Sequence, residues 1–128
     1  MTSNGLVFDL DIENSNTTTA YDNSRYTNDG TVTAAKLVDK GYYFNGTTAQ
    51  ILVTTASQLQ IARSLITLVV WMKSVTTAEM AILDKCDDGD APTLGYALRT
   101  ASDGHAVFTT NTDEYDSATL ITDGKPHF

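Results

Sequence analysis

The chain has 128 residues, of which 41% are hydrophobic and 19% charged, and its formal net charge is −8. A chain of this size and composition predicts one globular domain over residues 1–128 and excludes a disordered chain. Its eight basic residues are scattered, so it lacks the basic patch that nucleic-acid binding needs. The acidic surface is compatible with cation binding, although solubility is its simpler explanation.

The cysteine content and the apolar runs set further limits. A single cysteine, Cys86, excludes an internal disulfide framework, and its acidic neighbours favour a structural or exposed thiol over a reactive one. No apolar run is long enough to span a bilayer, and the first residues lack the basic and apolar regions of a secretion signal. We therefore expect no membrane span.

The N-terminal third begins with a predicted strand and a polar loop. Leu6–Glu13 alternates apolar with mostly acidic residues, which predicts a half-buried strand. The polar segment Asn14–Gly30 follows, and we predict an ordered loop in which Gly30 supplies the positive φ of a sharp turn. Within eight positions this loop carries four carboxylate or amide side chains, namely Asp22, Asn23, Asn28 and Asp29.

The middle of the chain predicts weaker elements. Val32–Val38 is an extended segment, and Tyr42–Phe44 and Ile51–Val53 flank Asn45-Gly46, the dipeptide most favoured in tight hairpins. Three small residues after Gly46 favour a longer loop at this turn. Ala56–Ala62 has helix-compatible spacing but is too short for more than a connector.

The C-terminal half contains the most apolar segment, Ile66–Met72. Apolar residues on both faces predict a central strand that is covered on both sides, or one whose second face meets a partner. Further strands are predicted at Met80–Leu83, Leu94–Leu98, His105–Phe108 and Ala118–Ile121. Turns separate them at Asp87–Asp90, Asp103-Gly104 and Asp123-Gly124. Short strands without a helix of ordinary length predict an all-β protein, an antiparallel β-sandwich or jelly roll.

Five motifs in order resemble those of a known family. They read A-Y-D-N-S…N-D-G-T, F-N-G-T, S-L-I-T-L-V-V-W-M-K-S, I-L-D-K and T-D-G-K-P-H. Their order and spacing resemble the laminin-G-like group of concanavalin A-like lectin/glucanase domains. The resemblance implies the jelly-roll sandwich of that group. Arg25 and Pro126 depart from it, since the family has Gly and Trp there.

The resemblance also implies a calcium site in the polar loop. Asp22 with Asn28 or Asp29 would supply side-chain oxygens, Asn23 lies in the same group, and backbone carbonyls would complete the shell, as calcium prefers. The alternative is an Asx-turn network in which these side chains bind their own backbone. Asp87–Asp90 is a weaker candidate for a cation site.

Trp71 and Val69 form a candidate surface for a ligand or partner. They lie on the opposite face of the predicted strand from Ile66, Leu68 and Val70. If the latter fill the core, Trp71 is free to stack on a sugar ring or to pack against a protein. Coverage of Trp71 by loops of its own domain is the alternative.

Catalysis has weak support. Asp9, Asp11 and Glu13 resemble the carboxylate strand of laminarinase-type glycoside hydrolases, but here the set lies on the opening strand and begins with the shorter Asp. Two histidines, His105 and His127, are too few for a convincing zinc cluster, and no nucleophile-elbow sequence supports a catalytic triad. We expect no enzyme, and a structural role for His127.

These observations predict a non-catalytic binding or structural module. Adhesion, carbohydrate recognition and virion decoration on a capsid or tail suit it, with a glycan or protein partner at an extracellular or virion surface. The alternative is an accessory or partial domain of a glycoside hydrolase or other secreted enzyme. Because the family continues with more strands after the T-D-G-K-P-H position, we expect a domain truncated at its C-terminus. We also expect a homo-oligomer or larger assembly that covers the edge beside Ile66–Met72.

Overall fold

The computed structural model describes residues 5–39, 41–54, 57–60, 66–86, 95–110 and 113–128, with only the backbone of Cys86. Contacts divide the chain into two compact units, Met1–Leu59 and Gln60–Phe128. In the described residues both units consist of antiparallel strands, and helix is confined to a 3-10 turn at Ser57–Leu59. The all-β class is therefore confirmed, whereas the single domain over residues 1–128 stays a prediction.

The first unit contains one sheet and one hairpin. Its strands are β1 (Leu10–Asp11), β2 (Thr19–Asp22), β3 (Gly30–Thr33), β4 (Lys36–Val38), β5 (Gly41–Tyr43) and β6 (Gln50–Val53). The sheet has the order β1-β2-β3-β6, and β4 pairs with β5. Burial alternates along β2 and β3, which places Ala20 and Val32 in a small core with Ala35.

Gly30 serves packing and not a turn, contrary to the sequence prediction. It is buried within β3, and a Cβ atom added there would overlap Cγ2 of Ile51 on β6. The positive φ of this segment lies instead at Thr27, with φ 50°. Glycine suits position 30 because the Ile51 side chain occupies the space that a Cβ atom would need.

The predicted opening strand is mostly absent. Of Leu6–Glu13, only Leu10–Asp11 forms a strand. The Asp11 carboxylate accepts the backbone N–H of Glu13 at 3.0 Å and that of Asn14 at 3.4 Å, which turns the chain out of the sheet. The polar segment Asn14–Gly30 is also more regular than predicted, because it contains all of β2.

The longer loop favoured after Asn45-Gly46 is confirmed, and a tight hairpin does not form there. Strand β5 pairs with β4, and β6 pairs with β3, so the segments on either side of Asn45-Gly46 do not pair with each other. Oδ1 of Asn45 accepts three successive backbone N–H groups, each at 3.0 Å, from Thr47, Thr48 and Ala49. Because the Asn45 side chain accepts these N–H groups, a capped turn forms.

The predicted extended segment Val32–Val38 is divided into two strands. Ala34 has a positive φ of 54°, and it separates β3 from β4.

The second unit contains a four-stranded meander and a short pair. Its strands are β7 (Met72–Lys73), β8 (Met80–Cys86), β9 (Gly95–Thr100), β10 (His105–Thr110), β11 (Asp113–Leu120) and β12 (Pro126–His127). The meander has the order β11-β10-β9-β8, and β12 pairs with β7. The four strands predicted after Met72 are confirmed with longer or shifted bounds. Leu94 and the predicted turn Asp87–Asp90 lie outside the described residues.

The predicted turns at Asp103-Gly104 and Asp123-Gly124 are confirmed by backbone geometry. Gly104 has φ 90° and Gly124 has φ 78°, in the left-handed region that favours glycine. At both sites the glycine adopts this conformation without the steric cost that a Cβ atom would bring.

The predicted central strand Ile66–Met72 is only partly a strand. Met72 pairs with β12, whereas Ile66–Trp71 has no ladder partner among the described residues. Its burial still alternates as in a strand, with Ile66, Leu68 and Val70 half-buried and the residues between them exposed. Coverage on both faces is therefore wrong, because one face is open to solvent.

Candidate functional site

Three exposed apolar side chains form the surface that we call the aromatic patch, namely Val69, Trp71 and Phe128. Their exposed fractions are 64%, 74% and 78%. The ring centroids of Trp71 and Phe128 are 4.6 Å apart, with 31° between the ring planes. Trp71 and Val69 thus lie on the exposed face that the sequence predicts for them, and Phe128 extends this face.

The β7–β12 ladder positions the two rings. Pro126 lies opposite Lys73 and His127 opposite Met72, so the next step of the register places Phe128 opposite Trp71. Cross-strand aromatic side chains at this spacing are close enough to interact. Pro126 begins β12, which is a position that proline tolerates in a strand.

The turn before β12 is held by the Asp123 carboxylate. Oδ1 accepts the backbone N–H of Lys125 at 2.9 Å and lies 2.8 Å from Nε2 of His127. The His127 hydrogen bond, and after it that of the Lys125 N–H, lower the pKa of Asp123 to about 2. The Gly124 N–H also donates to the Ser74 carbonyl at 2.8 Å, which ties this turn to the residue after β7.

In the polar loop, the Asp22 carboxylate is fully used by protein donors. Its exposed fraction is 4%. Oδ1 accepts the N–H groups of Asp9 and Ser24, each at 2.9 Å. Oδ2 accepts the N–H of Asn28 at 2.7 Å and the Ser24 hydroxyl at 2.8 Å. A carboxylate offers about four lone-pair sites, so these donors saturate it.

Electrostatics at Asp22 follow from the same contacts. Burial raises the pKa of Asp22, but the backbone N–H groups of Ser24, Asp9 and Asn28, together with the Ser24 hydroxyl, outweigh burial. The pKa therefore lies below the ordinary value of 3.8. The charged form is stabilised by hydrogen bonds of the loop itself.

The other predicted calcium ligands belong to the same network or lie outside it. Asp29 Oδ1 accepts the Asp22 N–H at 2.9 Å, and Asn28 Nδ2 donates to the Val7 carbonyl at 3.3 Å. Asn23 is exposed. Its backbone N–H donates to the Asp9 carbonyl, and this is the contact described for it. This is the arrangement of the Asx-turn alternative.

The residues of the loop, as they stand, do not fit a calcium shell. A cation at Asp22 would have to displace N–H or O–H donors that already occupy its oxygens. In the described part of the chain, no group of three or more His, Cys, Asp or Glu side chains is arranged to hold a metal ion. Calcium at this loop stays a prediction, which melting curves can test.

The carboxylates considered for catalysis do not line one strand face. Only Asp11 of that set lies in β1, and its side chain caps the following turn. Asp9 and Glu13 are exposed and lie outside the strand. Without a common face, the resemblance to a carboxylate strand is lost.

The two histidines each pair with the aspartate of their own turn. His105 Nδ1 lies 3.1 Å from Oδ1 of Asp103, and His127 Nε2 lies 2.8 Å from Oδ1 of Asp123. The backbone N–H of His105, followed by its side chain, holds the pKa of Asp103 below 3.8. Both contacts are explained by turn formation.

Sequence reasoning did not identify an open groove in the first unit. It has a volume of 740 Å³ and is lined by Ile12, Glu13, Ser15, Leu37, Val38 and Asp39. Its two carboxylates belong to exposed residues. None of the residues predicted as ligands or partner contacts lines it.

Phe128 and Arg99 were also not identified. The position of Phe128 beside Trp71 follows from the register of β12 with β7, which the sequence alone does not give. Arg99 is 6% exposed on β9 and forms ion pairs with Asp84 at 3.8 Å and Glu79 at 4.0 Å. A buried guanidinium requires such partners. The only sequence signal is a charged residue within the strand Y-A-L-R-T.

No helix among the described residues is both long and apolar enough to cross a membrane. Comparison with family models, curated proteins and solved structures finds no match to this chain. The laminin-G-like assignment thus stays a prediction from the sequence motifs. The function has to be inferred from the site itself.

Proposed function

We propose that this chain is a non-catalytic binding or structural module of the laminin-G-like jelly-roll type, which engages its partner through the aromatic patch. The observation that carries the proposal is the 74% exposure of Trp71 beside Val69, which is 64% exposed on the same strand face. Large aromatic side chains expose this much surface in isolated cases, but contiguous exposed apolar groups are typical of interaction sites.

The aromatic patch is ordered before binding by the Asp123–Lys125 turn and by the β7–β12 ladder. The β7–β12 ladder and the Asp123 hydrogen bonds hold the residues that directly follow Trp71 and directly precede Phe128. Side chains that are ordered before binding lose less conformational entropy when the partner arrives. Each aromatic ring can bury about 150–250 Å² of surface, so two rings supply a substantial part of a small binding site.

The chemistry of the patch suits a sugar ring or an apolar protein surface. The ring pair offers a broad apolar face, and Thr67 and Lys73 are exposed along the same strand face as Trp71. Apolar stacking beside polar hydrogen-bonding groups is what carbohydrate recognition needs. Adhesion, glycan recognition and virion decoration are the roles that such a module would serve.

A glycan array with three proteins tests the proposal. Wild type and Tyr115→Ala should give the same pattern, because Tyr115 is an exposed aromatic, at 60%, that lies on β11 and outside the aromatic patch. Trp71→Ala should lose the signal. Its stability should stay within about 0.5 kcal/mol of wild type, whereas truncation of a buried Trp costs about 3–5 kcal/mol.

Two results would contradict the proposal. A glycan signal that survives Trp71→Ala would place recognition elsewhere on the chain. If no glycan binds, the same variants are compared for retention of a protein partner from the source material, and retention independent of Trp71 would remove the patch from the function.

A further inference from the structure

We propose that the aromatic patch binds an anionic glycan, whose sugar ring stacks on Trp71 while its carboxylate or sulfate group binds the ammonium group of Lys73. This inference rests on the proposed function, since it names the class of ligand for the same site. Stacking on an aromatic ring selects sugars by shape, and the charge of Lys73 adds a selection for negatively charged members.

The first support is the position of Lys73 relative to Trp71. Lys73 lies two residues further along the strand on the same exposed face, and the half-buried Met72 separates the two. Residues at this spacing are about 6.6 Å apart, since a strand rises about 3.3 Å per residue. The flexible stem of a lysine side chain covers part of that separation. A sugar ring over the indole therefore brings an exocyclic carboxylate or sulfate within reach of the Lys73 ammonium group.

The second support is that the Lys73 ammonium group is available to a ligand. Lys73 is exposed, and no residue in the described part of the chain forms an ion pair with it. Lys125, in the turn before β12, differs in this respect, because its Nζ lies 3.4 Å from Oδ2 of Asp123. Lys125 therefore offsets the acid of its own turn, while Lys73 keeps its N–H donors for a ligand.

The third support is the distribution of charge. The whole chain has 16 acidic residues against 8 lysines and arginines. The two segments that form the patch reverse this balance, because residues 66–78 contain no acidic side chain and residues 121–128 contain Asp123 alone, beside Lys125. Repulsion from more distant acids is screened, since the Debye length is about 8 Å at physiological salt. An anionic ligand is therefore attracted to the patch and repelled by the acidic remainder of the chain.

A glycan array arranged in matched pairs tests this preference. Each carboxylated sugar, such as a galacturonate oligomer, is paired with its uncharged methyl ester, and each sulfated sugar is paired with its unsulfated form. Wild type should bind an anionic member about tenfold or more tightly than its neutral counterpart, as a charge-assisted hydrogen bond provides. The pairs that show the difference identify carboxylate or sulfate as the anion.

Lys73→Gln should abolish the difference within each pair and leave the binding of the neutral member unchanged, since Trp71 is retained. Lys36→Gln is the matched control, because Lys36 is an exposed lysine of β4 and its loss changes the net charge equally. Added salt should weaken the binding of the anionic member by wild type, but not by Lys73→Gln. Both variants should melt as wild type does, because each replaces an exposed side chain.

Two results would overturn the inference, namely equal binding of anionic and neutral members by wild type, or a preference that survives Lys73→Gln. If wild type binds both members equally and Trp71→Ala binds neither, the proposed function stands while this inference fails. If no glycan binds, this inference fails as well, and the retention of a protein partner through Trp71 decides the proposed function separately.

Discussion

At the scale of single residues, Asp22 shows how a polar loop becomes ordered structure. Its carboxylate accepts hydrogen bonds from the backbone N–H groups of Asp9, Ser24 and Asn28, which lie at three different places in the loop and its flanks. These bonds take the place of water around a carboxylate that is 4% exposed. The loop therefore depends on one charged acceptor.

Asp22→Asn should destabilise the protein by about 1–3 kcal/mol, because an amide replaces one acceptor oxygen with a donor and leaves a buried N–H unpaired. Chemical denaturation gives the free energy of unfolding. Asp9→Asn is the matched control, since it removes the same charge from an exposed side chain nearby. Equal stability of the Asp22 variant and wild type would refute the role assigned to this carboxylate.

The pH dependence of stability follows from the lowered pKa of Asp22. A carboxyl whose pKa is lower in the folded state stabilises the fold fully above its unfolded pKa, about 3.9. That contribution is lost as the pH falls through the folded pKa. The stability gap between wild type and Asp22→Asn should therefore be constant near neutrality and narrow below about pH 4. Melting temperatures across this range measure it, and a gap that widens in acid would contradict the account.

At the scale of elements, the two strand glycines without positive φ differ in what surrounds them. A Cβ at Gly30 would overlap the Ile51 side chain, whereas a Cβ at Gly41 would have nothing within 4 Å. Gly30→Ala should cost about 1–3 kcal/mol through overpacking. Gly41→Ala should stay within about 0.5 kcal/mol of wild type. Urea unfolding of both variants makes the comparison, and equal costs would show that strand packing is not what position 30 requires.

The sequence predicted those elements whose pattern and partner are both local. The strands β8 to β11 follow each other as a meander, so alternation and turn residues such as Gly104 suffice to locate them. The tight hairpin that the dipeptide Asn45-Gly46 prefers does not form, because the hydrogen bonds of the Asn45 side chain outweigh that preference and hold the longer loop. The strand predicted at Leu6–Glu13 is mostly absent for the same kind of reason, because hydrogen bonds to the Asp11 side chain outweigh its apolar alternation.

The candidate site was predictable to a similar extent. Alternation along Ile66–Met72 gave the correct faces for Val69 and Trp71. Phe128 was not predictable because the register of an antiparallel pair is a tertiary property. The loop around Asp22 was correctly expected to be ordered, but carboxylates and amides at this spacing are equally suited to metal ligation and to capping, so sequence could not choose between them.

At the scale of the whole molecule, the effect of calcium on stability distinguishes a calcium site in the polar loop from an Asx-turn network. A cation that binds only the folded state would add RT ln(1 + [L]/Kd) to its stability and raise the melting temperature. Because the oxygens of Asp22 already accept protein donors, we expect superimposable melting curves in excess calcium and in chelator. A higher melting temperature in calcium that disappears in Asp22→Asn would instead establish the site that the family resemblance implies.

Binding at the aromatic patch should cover Trp71, and fluorescence measures this directly because Trp71 is the only tryptophan in the chain. In the dilute free protein, its emission should resemble that of free tryptophan in water, and acrylamide should quench it strongly, since the side chain is 74% exposed. A glycan or protein selected for binding should shift the emission to shorter wavelength and protect it from quenching. Saturating binding that leaves both the emission and the quenching of Trp71 unchanged would contradict the account.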